Sequence, residues 1–225
     1  MRSSTWVVIA AYNEGQVIRG VVTGLKAEWP NVVVVDDGSA DSTAAEAEAA
    51  GAFVIRHPIN LGQGAALATG LQYCIEIGAK YIVNFDADGQ HHVEDIQVLV
   101  DRASQPDVDI VIGSRFLGET RAMPGRRRLL LKAAVLFTRI TTGLKVTDAH
   151  NGLRCFTLEA AKKIRINQNR MVHASEILEE VARHKLRVAE VPVTITYTEY
   201  SLAKGQRLSN SINILLELFL GRLHK

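Results

Sequence analysis

Four consecutive valines, Val32 to Val35, are followed at once by Asp36-Asp37-Gly38-Ser39. A run of β-branched apolar residues that ends in polar and turn-forming residues is typical of a strand buried on both faces of a parallel sheet. Similar apolar runs that lead into polar or glycine-containing segments recur at residues 6–11, 52–56, 81–85 and 109–113. The repetition of this form predicts a sheet of several parallel strands.

Stretches with helical periodicity lie between these runs, at residues 17–28, 42–50, 62–77 and 93–105. Strands and helices in strict alternation predict a parallel sheet with helices on both faces. In open sheets of this kind, ligands bind at the carboxyl ends of the strands. We therefore expect an α/β protein whose binding residues directly follow its strands.

Asp86-Ala87-Asp88 follows the apolar run at 81–85 and leads into Gly89-Gln90-His91. Two carboxylates one residue apart, at the carboxyl end of a buried strand, can hold a divalent cation between the protein and a diphosphate. A single acidic pair is common in surface turns, but this one shares its context with the other strand ends. The arrangement indicates an enzyme that acts on nucleotide sugars.

The overall composition is that of a globular protein. Of its 225 residues, 47% are hydrophobic and 22% are charged, which fits one large domain. Cys74 and Cys155 form no C-x-x-C pair, so we expect buried thiols and neither a zinc nor a redox site. The chain has no run of about 18 uncharged apolar residues that would predict a transmembrane helix. Residues 1–5 lack the apolar stretch of a signal peptide, and we expect a cytoplasmic protein.

The pattern changes after residue 113. We predict helices at 129–142 and around 175–184, a loop at 148–152, and strands at 153–156 and 188–197. Pro192 favours an edge position for the last strand, because proline cannot donate a ladder hydrogen bond. A stripe of apolar residues from Leu208 to Leu223 predicts an amphipathic C-terminal helix. We see no linker and expect a single domain, 1–225, with a nucleotide-sugar-binding half at 1–115 and an acceptor half at 116–225.

The net charge of +2 is unevenly distributed along the chain. Between Arg121 and Thr147 there are seven basic residues and no acidic one, together with the apolar runs 129–131 and 135–137. Basic and apolar residues at helical spacing suit an anionic membrane surface or a phosphorylated lipid. We therefore expect peripheral attachment to the cytosolic face of a membrane. The alternative is an ordinary helix that packs its apolar face and leaves its arginines solvated.

Five motifs occur in order along the chain: Ala11-Tyr12-Asn13-Glu14, Asp36-Asp37-Gly38-Ser39, Asn60-x-Gly62-x-Gly64-x-Ala66, Asp86-Ala87-Asp88-Gly89-Gln90-His91 and Gly113-Ser114-Arg115-Phe116. Together they resemble the motifs of family 2 glycosyltransferases of GT-A fold, in the branch that includes dolichol- and polyprenol-phosphate sugar transferases. The resemblance covers nearly the whole chain. It implies inverting transfer of a sugar from a nucleoside diphosphate sugar, with UDP or GDP as the nucleotide, to a lipid phosphate.

The resemblance also implies roles for individual residues. Asp88 and Gln90 would coordinate Mg²⁺ or Mn²⁺, Arg115 would hold a phosphate, and Arg127, flanked by Arg126 and Arg128, would contact a phosphate as well. The residues implied in binding the nucleotide sugar are Ala10, Tyr12, Glu14, Val35, Asp37, Asp86, Ala87, Asp88 and Lys204. For the segment that carries Asp37, the alternative is capping of the following helix alone. Capping would explain Ser39, Asp41 and Ser42 but not the paired Asp36 and Asp37.

Asp148 lies in the segment 148–154, which matches the family's acceptor-side loop. It could act as a general base if the acceptor were a sugar hydroxyl, which must lose a proton to attack. A lipid phosphate is already anionic and needs no base, and Asp148 would then only fix its loop by hydrogen bonds. A metal would neutralise the departing diphosphate in either case. His173 and Glu176 are further candidates on the acceptor side.

The segment 197–206 departs from the polyprenol-phosphate branch. Lys204 matches a lysine of the branch, but no arginine stands in the expected place. A second function therefore stays open, namely transfer to a saccharide hydroxyl in polysaccharide or glycolipid synthesis. A third is a non-catalytic subunit that binds nucleotide sugars, against which the intact Asp86, Asp88 and Arg115 argue. We expect no nucleic-acid partner, and a homodimer is open.

Overall fold

The structure is a computed structural model that describes residues 1–121, 123, 125–168, 172–198 and 200. The predicted C-terminal helix and Lys204 lie outside the described residues. Within them no helix is long and apolar enough to cross a membrane.

One mixed sheet forms the centre of the described chain. Its strands are β1 (Thr5–Ala11), β2 (Val32–Asp36), β3 (Phe53–Arg56), β4 (Tyr81–Asn84), β5 (Ile110–Arg121), β6 (Arg154–Thr157) and β7 (Val188–Thr196). Their order across the sheet is β3-β2-β1-β4-β6-β5-β7. Strand β6 runs antiparallel to both of its neighbours, while the other pairs are parallel. The mostly parallel sheet is confirmed, and β7 with Pro192 is an edge strand as predicted.

Helices cover both faces of this sheet. They are α1 (Ile18–Glu28), α2 (Thr43–Ala49), α3 (Gln63–Glu76), α4 (Asp95–Ala103), α5 (Gly125–Thr142), α6 (Leu158–Ala161) and α7 (His173–Arg183). Residues of α1, α2 and α4 pack on one face and residues of α3, α5, α6 and α7 on the other. The predicted alternation of strand and helix up to β5 is therefore confirmed.

The valine run of β2 is buried on both faces of the sheet. Val34 packs into the cluster with α1 and α4, whereas Val33 packs into the cluster with α3 and α7. All five residues of β2 are buried. Burial of one such side chain contributes about 1.5–3 kcal/mol. The uninterrupted valines thus stabilise an interior strand that has no solvent-facing side.

Two elements differ from the sequence prediction. Strand β5 continues past Gly113 to Arg121, with a shift of register between Ser114 and Glu119 where it pairs with β7. Many residues of this extension are polar, so the apolar runs that predicted the other strands did not predict it. Helix α6 was not predicted, because its four residues are too few to show a period; Thr157 Oγ1 caps it by accepting from Ala160 N at 3.2 Å.

Candidate active site

The carboxyl ends of β1, β2 and β4 meet at one edge of the sheet. Ala10 lies beside Val35 in the ladder of β1 and β2. On the other side of β1, Phe85 N donates to Val8 O at 2.9 Å. Tyr12 follows β1 directly and is largely exposed at this edge. The first, second and fourth motifs are therefore brought together, as the parallel strands predicted.

Asp37 organises the loop after β3. Its carboxylate accepts hydrogen bonds from Leu61 N at 3.0 Å and Gly62 N at 2.7 Å, and it contacts His57 Nδ1 at 2.8 Å. His57 Nε2 lies 3.0 Å from Thr69 Oγ1. Asp37 is buried and holds the glycine-containing loop against the end of β2. His57 was not predicted as a site residue, because its only signal in the sequence was its position just after a strand.

The first motif is fastened to the second by hydrogen bonds. Asn13 N donates to Ser39 Oγ at 2.9 Å, and Glu14 N donates to Thr43 Oγ1 at 2.7 Å. Asp41 Oδ1 accepts from Thr43 N at 3.0 Å, so the predicted capping contact of Asp41 is present. These bonds fix the backbone of Glu14, whose negative charge lies close enough to Asp88 to act on that carboxyl group.

Glu14 also receives a contact from the far end of the described chain. The Tyr200 hydroxyl donates to Glu14 Oε2 at 2.6 Å. Burial, and after it the hydrogen bond to Glu14, raise the pKa of Tyr200. Tyr200 therefore stays a neutral phenol and a donor at this carboxylate. Nothing in the local sequence pattern had linked residues 186 positions apart.

The two carboxylates of the Asp86-Ala87-Asp88 motif have different surroundings. Asp86 Oδ2 contacts His91 Nε2 at 3.0 Å, and the Gly152 backbone lies so close that a Cβ there would be 2.1 Å from the same oxygen. Asp88 Oδ1 accepts from Gln90 N at 3.1 Å. Ala87 between them is buried in the core. Protein groups contact Asp86 from two sides, although 34% of its side chain is exposed, whereas Asp88 is held only by its own loop in the contacts described.

Several of the residues predicted to contact a phosphate or the acceptor form a second cluster around Arg115. Its Nε donates to Asp148 Oδ2 at 2.6 Å, its Nη1 to the Tyr197 hydroxyl at 2.8 Å and its Nη2 to His150 O at 3.2 Å. The guanidinium of Arg127 lies 4.8 Å from the centre of the Tyr197 ring. The structure thus brings together the three predicted residues Arg115, Arg127 and Asp148.

Arg126 and Arg128, which flank Arg127, are exposed. Neither of them makes a described contact with the cluster around Arg115. Tyr197 joins the two arginines and was missed as a site residue. Its one signal was its place at the end of the last predicted strand. A buried tyrosine hydroxyl needs a hydrogen-bond partner, which Arg115 supplies.

Asp148 is fully buried, with 0% of its surface exposed. The loop that carries it is fixed by Glu190 of β7, whose carboxylate accepts from Thr147 N at 2.8 Å and from Asp148 N at 3.0 Å. Burial, and then the charge of Arg154, lower the pKa of His150 to about 4. The imidazole beside Asp148 is therefore neutral at neutral pH. These contacts favour the loop-fixing role of Asp148 over that of a base.

Of the two further acceptor-side candidates, His173 begins α7 and is buried. Glu176 accepts from Asn167 N at 3.0 Å and from Gln168 N at 2.9 Å. Gln168 O in turn lies against Gly64, where a Cβ would be 2.0 Å from it. Glu176 thus fixes the segment that packs on the first turn of α3.

The model of the family described as glycosyl transferase family 2 matches residues 6–165 of the chain. The chain belongs to glycosyl transferase family 2. It is 32% identical to the UDP-N-acetylglucosamine–dolichyl-phosphate N-acetylglucosaminyltransferase of Methanococcus voltae, over 98% of this chain and 96% of the relative. It is 30% identical to the polyprenol monophosphomannose synthase of Mycolicibacterium smegmatis, over 89% and 80%.

Among solved structures, this glycosyltransferase is similar to glucosyl-3-phosphoglycerate synthase of Mycobacterium tuberculosis in complex with Mn²⁺, UDP-glucose and phosphoglyceric acid. The TM-score is 0.74 at 19% identity, covering 95% of this chain and 78% of that one. At this level of identity the likeness concerns the fold, and the predicted GT-A fold is confirmed.

The donor atoms of this family 2 enzyme fit a hard divalent cation. No group of three or more His, Cys, Asp or Glu side chains in the described residues is placed to hold a metal alone. Mg²⁺ is usually held by one or two carboxylates together with substrate phosphates. Asp88 and Gln90 offer such oxygens at the end of β4, beside Asp86. The site is thus chemically suited to Mg²⁺ or Mn²⁺ that arrives with a diphosphate.

The protonation of Asp88 should govern metal-dependent binding. Burial, and after it the charge of Asp86, raise the pKa of Asp88 to about 6. Below that pH the carboxyl group is protonated and is a poor metal ligand, so affinity should increase as pH rises through 6. We expect Mn²⁺-dependent binding of a nucleotide sugar to be about tenfold weaker at pH 5 than at pH 7. Calorimetric titration measures this, and Asp88→Asn should remove the pH dependence; equal affinity at both pH values would contradict it.

Proposed function

We propose that this glycosyltransferase moves a hexose from a nucleoside diphosphate sugar, with UDP or GDP as the nucleotide, to a polyprenyl-phosphate-type lipid. The proposal includes Mg²⁺ or Mn²⁺ and inversion at the anomeric carbon. One observation carries the proposal. Asp86 and Asp88, which are suited to a metal-bound diphosphate, lie next to the cluster around the buried Arg115. Gly152, which packs on Asp86, and Asp148, which binds Arg115, belong to the same short loop.

The names of the two relatives support the choice of acceptor. One acts on dolichyl phosphate and the other is a polyprenol monophosphomannose synthase, and both align over most of their length. A lipid phosphate and a nucleoside diphosphate both carry negative charge, which arginine can bind through paired hydrogen bonds. Arg127 on α5 and Arg115 on β5 are the residues we propose for that contact.

The roles of the chain's own residues follow from their positions. Asp37 and Glu14, with Tyr12, Ala10 and Val35, would hold the nucleoside at the ends of β1 and β2. Asp86, Ala87 and Asp88 would face the diphosphate. A bound metal would supply charge neutralisation of the leaving diphosphate. Arg127 would orient the acceptor phosphate for direct in-line attack, which inverts the anomeric carbon.

The proposed acceptor needs no general base, and the contacts of Asp148 agree with that. Its carboxylate already accepts from the backbone and side chain of Arg115. Its other oxygen accepts from His150 N at 3.3 Å, and the residue is 0% exposed, so neither oxygen is open to a hydroxyl of an acceptor. This observation favours a phosphate over a saccharide hydroxyl as nucleophile.

The experiment that tests the function is a transfer assay with the purified full-length chain. Radiolabelled UDP- and GDP-sugars are incubated with Mn²⁺ and either a polyprenyl phosphate or an alkyl glycoside. We expect label in a lipid product that retains the phosphate. Label on the glycoside alone would assign the saccharide acceptor, and nucleotide binding without transfer to either would favour the non-catalytic subunit.

If the role of Asp148 is only to hold Arg115 in place, Asp148→Asn should affect the enzyme by leaving Arg115 without its ion-pair partner. Breaking a buried ion pair costs about 3–5 kcal/mol because one charge is left unpaired. We therefore expect Asp148→Asn and Arg115→Gln each to lower both stability and kcat, and the double variant to be no worse than either single variant. Thermal unfolding and steady-state kinetics of all three measure this. A further loss of kcat of tenfold or more in the double variant would point to an independent role as base.

We infer that α5 places the enzyme on the cytosolic face of a membrane. Its outer face exposes Leu129 (73%), Leu136 (59%) and Ile140 (76%) along one stripe. Lys132 and Arg139 lie beside that stripe and line a groove of about 260 Å³ with Val135, Leu136 and Thr147. Apolar residues flanked by cations suit the headgroup region of an anionic bilayer.

A variant that combines Leu129→Ser, Leu136→Ser and Ile140→Ser should bind vesicles more weakly. The three side chains are exposed, so their replacement should cost little stability while removing apolar area that would enter the bilayer. We expect at least tenfold lower partitioning to vesicles that contain anionic phospholipid, measured by co-sedimentation. Ile59→Ser is a matched control, because Ile59 is exposed on the nucleotide half. Unchanged vesicle binding with loss of self-association would assign the stripe to a homodimer.

A further inference from the structure

Two consecutive histidines connect the loop that carries Asp88 and Gln90 to the edge strand β7. His91 forms an isolated backbone bridge with Ile195, and His92 Nε2 contacts Thr196 Oγ1 at 2.9 Å. Thr196 N also donates to Gln90 O at 3.0 Å. The loop after β4, the central strand, is thus held by a strand at the edge of the sheet. Only one of the two histidines reaches a carboxylate of the proposed site.

His91 is that residue, and its side chain is 3% exposed. Its Nε2 lies 3.0 Å from Asp86 Oδ2, and its ring packs on Phe85 with 5.5 Å between the ring centres. A carboxylate accepts hydrogen bonds and does not donate them when ionised. The proton of a neutral His91 therefore lies on Nε2 and points at Asp86.

The other ring nitrogen of His91 is left without a partner. Nδ1 is buried and makes no hydrogen bond with any group that the structure describes. A buried polar atom without a partner is unfavourable, and an apolar ring of the same size would avoid that cost. The packing of this position alone is therefore better served by phenylalanine. What histidine adds is the hydrogen bond to Asp86.

Asp86 is also confined from the opposite direction. The backbone of Gly152 approaches both of its carboxylate oxygens, so that a Cβ there would lie 2.1 Å from Oδ2 and 2.4 Å from Oδ1. Asp88, one residue along, repels Asp86 because both carry negative charge. Among the described contacts, the hydrogen bond from His91 Nε2 is the one side-chain hydrogen bond that holds the Asp86 carboxylate against this repulsion.

We propose that His91 is a positioning residue that fixes the Asp86 carboxylate for the metal-bound diphosphate of the donor. The proposal rests on the proposed function, because it assumes a donor at this site. Groups that orient the ligands of a metal site typically account for 10- to 100-fold in metal affinity or activity. The hydrogen bond holds Asp86 ready before the donor arrives, so its loss should weaken donor binding as well as turnover.

Three variants separate positioning from packing. His91→Phe keeps the ring that packs on Phe85 and removes the hydrogen bond. His91→Gln restores an amide donor near the position of Nε2. His92→Phe is the matched control, because His92 fastens the same loop to Thr196 and makes no described contact with Asp86. Each variant is compared with the wild-type chain by thermal unfolding and by titration with Mn²⁺ and either UDP or GDP.

We expect His91→Phe to weaken Mn²⁺-dependent nucleotide binding by tenfold or more, to raise the donor KM and to lower kcat, with an unchanged or higher unfolding temperature. His91→Gln should recover affinity to within about threefold of wild type, and His92→Phe should keep it. Equal affinity of wild type and His91→Phe would overturn the proposal, as would a loss shared equally by His92→Phe. If the wild-type chain binds neither nucleotide, the proposed function fails instead.

Discussion

Asp88→Ala should abolish metal-dependent binding of the nucleotide and, with it, sugar transfer. Asp88 is the carboxylate at the end of β4 that is free of the close packing around Asp86. A cation held by one or two carboxylates loses much of its protein contact when one of them is removed. We expect at least a 100-fold loss of affinity, which corresponds to about 2.7 kcal/mol. Titration with UDP and GDP, with and without Mn²⁺, measures it.

Stability should separate this loss from misfolding. Burial and the charge of Asp86 raise the pKa of Asp88 to about 6, so the ionised carboxylate is unfavourable in the folded apoprotein at pH 7. The contribution of Asp88 to the free energy of unfolding is therefore greatest at low pH and falls as pH rises through 6. Alanine removes that cost, and the unfolding temperature at pH 7 should not decrease. Asp101→Ala on the exposed side of α4 is the control; an Asp88→Ala protein that still binds metal and nucleotide would contradict the assignment.

Gly152→Ala should disable the site from the acceptor side. A Cβ at residue 152 would lie 2.1 Å from Asp86 Oδ2, far below any contact that folded proteins tolerate. Either Asp86 must rotate away or the loop that carries Asp148 must shift. Both movements separate the acidic pair from the arginine cluster, and misplacement of about 1 Å can cost 100-fold in rate. We expect kcat/KM to fall by at least that factor.

Gly20→Ala provides the comparison for this substitution. Gly20 lies in helix α1, and a Cβ there meets nothing within 4 Å. Alanine in an open helical position should stabilise the protein by about 0.5–1 kcal/mol and leave transfer unchanged. A Gly152→Ala enzyme with activity within threefold of Gly20→Ala would show that the close approach to Asp86 has no consequence for catalysis.

Much of the structure of residues 1–115 could be predicted from the sequence, for a physical reason. Apolar runs such as Val32–Val35 are buried on both faces, so their signal does not depend on which neighbours they meet. Parallel strands then deliver their ends to one edge, which is why Asp37 and Asp86 could be grouped before the structure was known. The local chemistry of Asp-x-Asp added the expectation of a metal.

The contacts that complete the site could not be read in this way. Tyr197, Glu190 and His57 act through partners far away in sequence, and each belongs to a residue type that is common outside functional sites. The extension of β5 is polar, because it pairs with an edge strand and has a solvent-facing side. The loop-fixing role of Asp148 depended on its partner Arg115, and pairing of that kind is decided by tertiary packing.

Strand β6 has a mechanical consequence for the enzyme. It comes from the second half of the chain, yet it lies between β4 and β5 and hydrogen-bonds to both. A division of the chain near residue 115 therefore falls across one continuous hydrogen-bonded ladder and marks no hinge. The two parts of the chain therefore cannot move apart as hinged domains without breaking the hydrogen bonds of β6. Substrate exchange at the sheet edge therefore has to occur without separation of the two parts that this ladder joins.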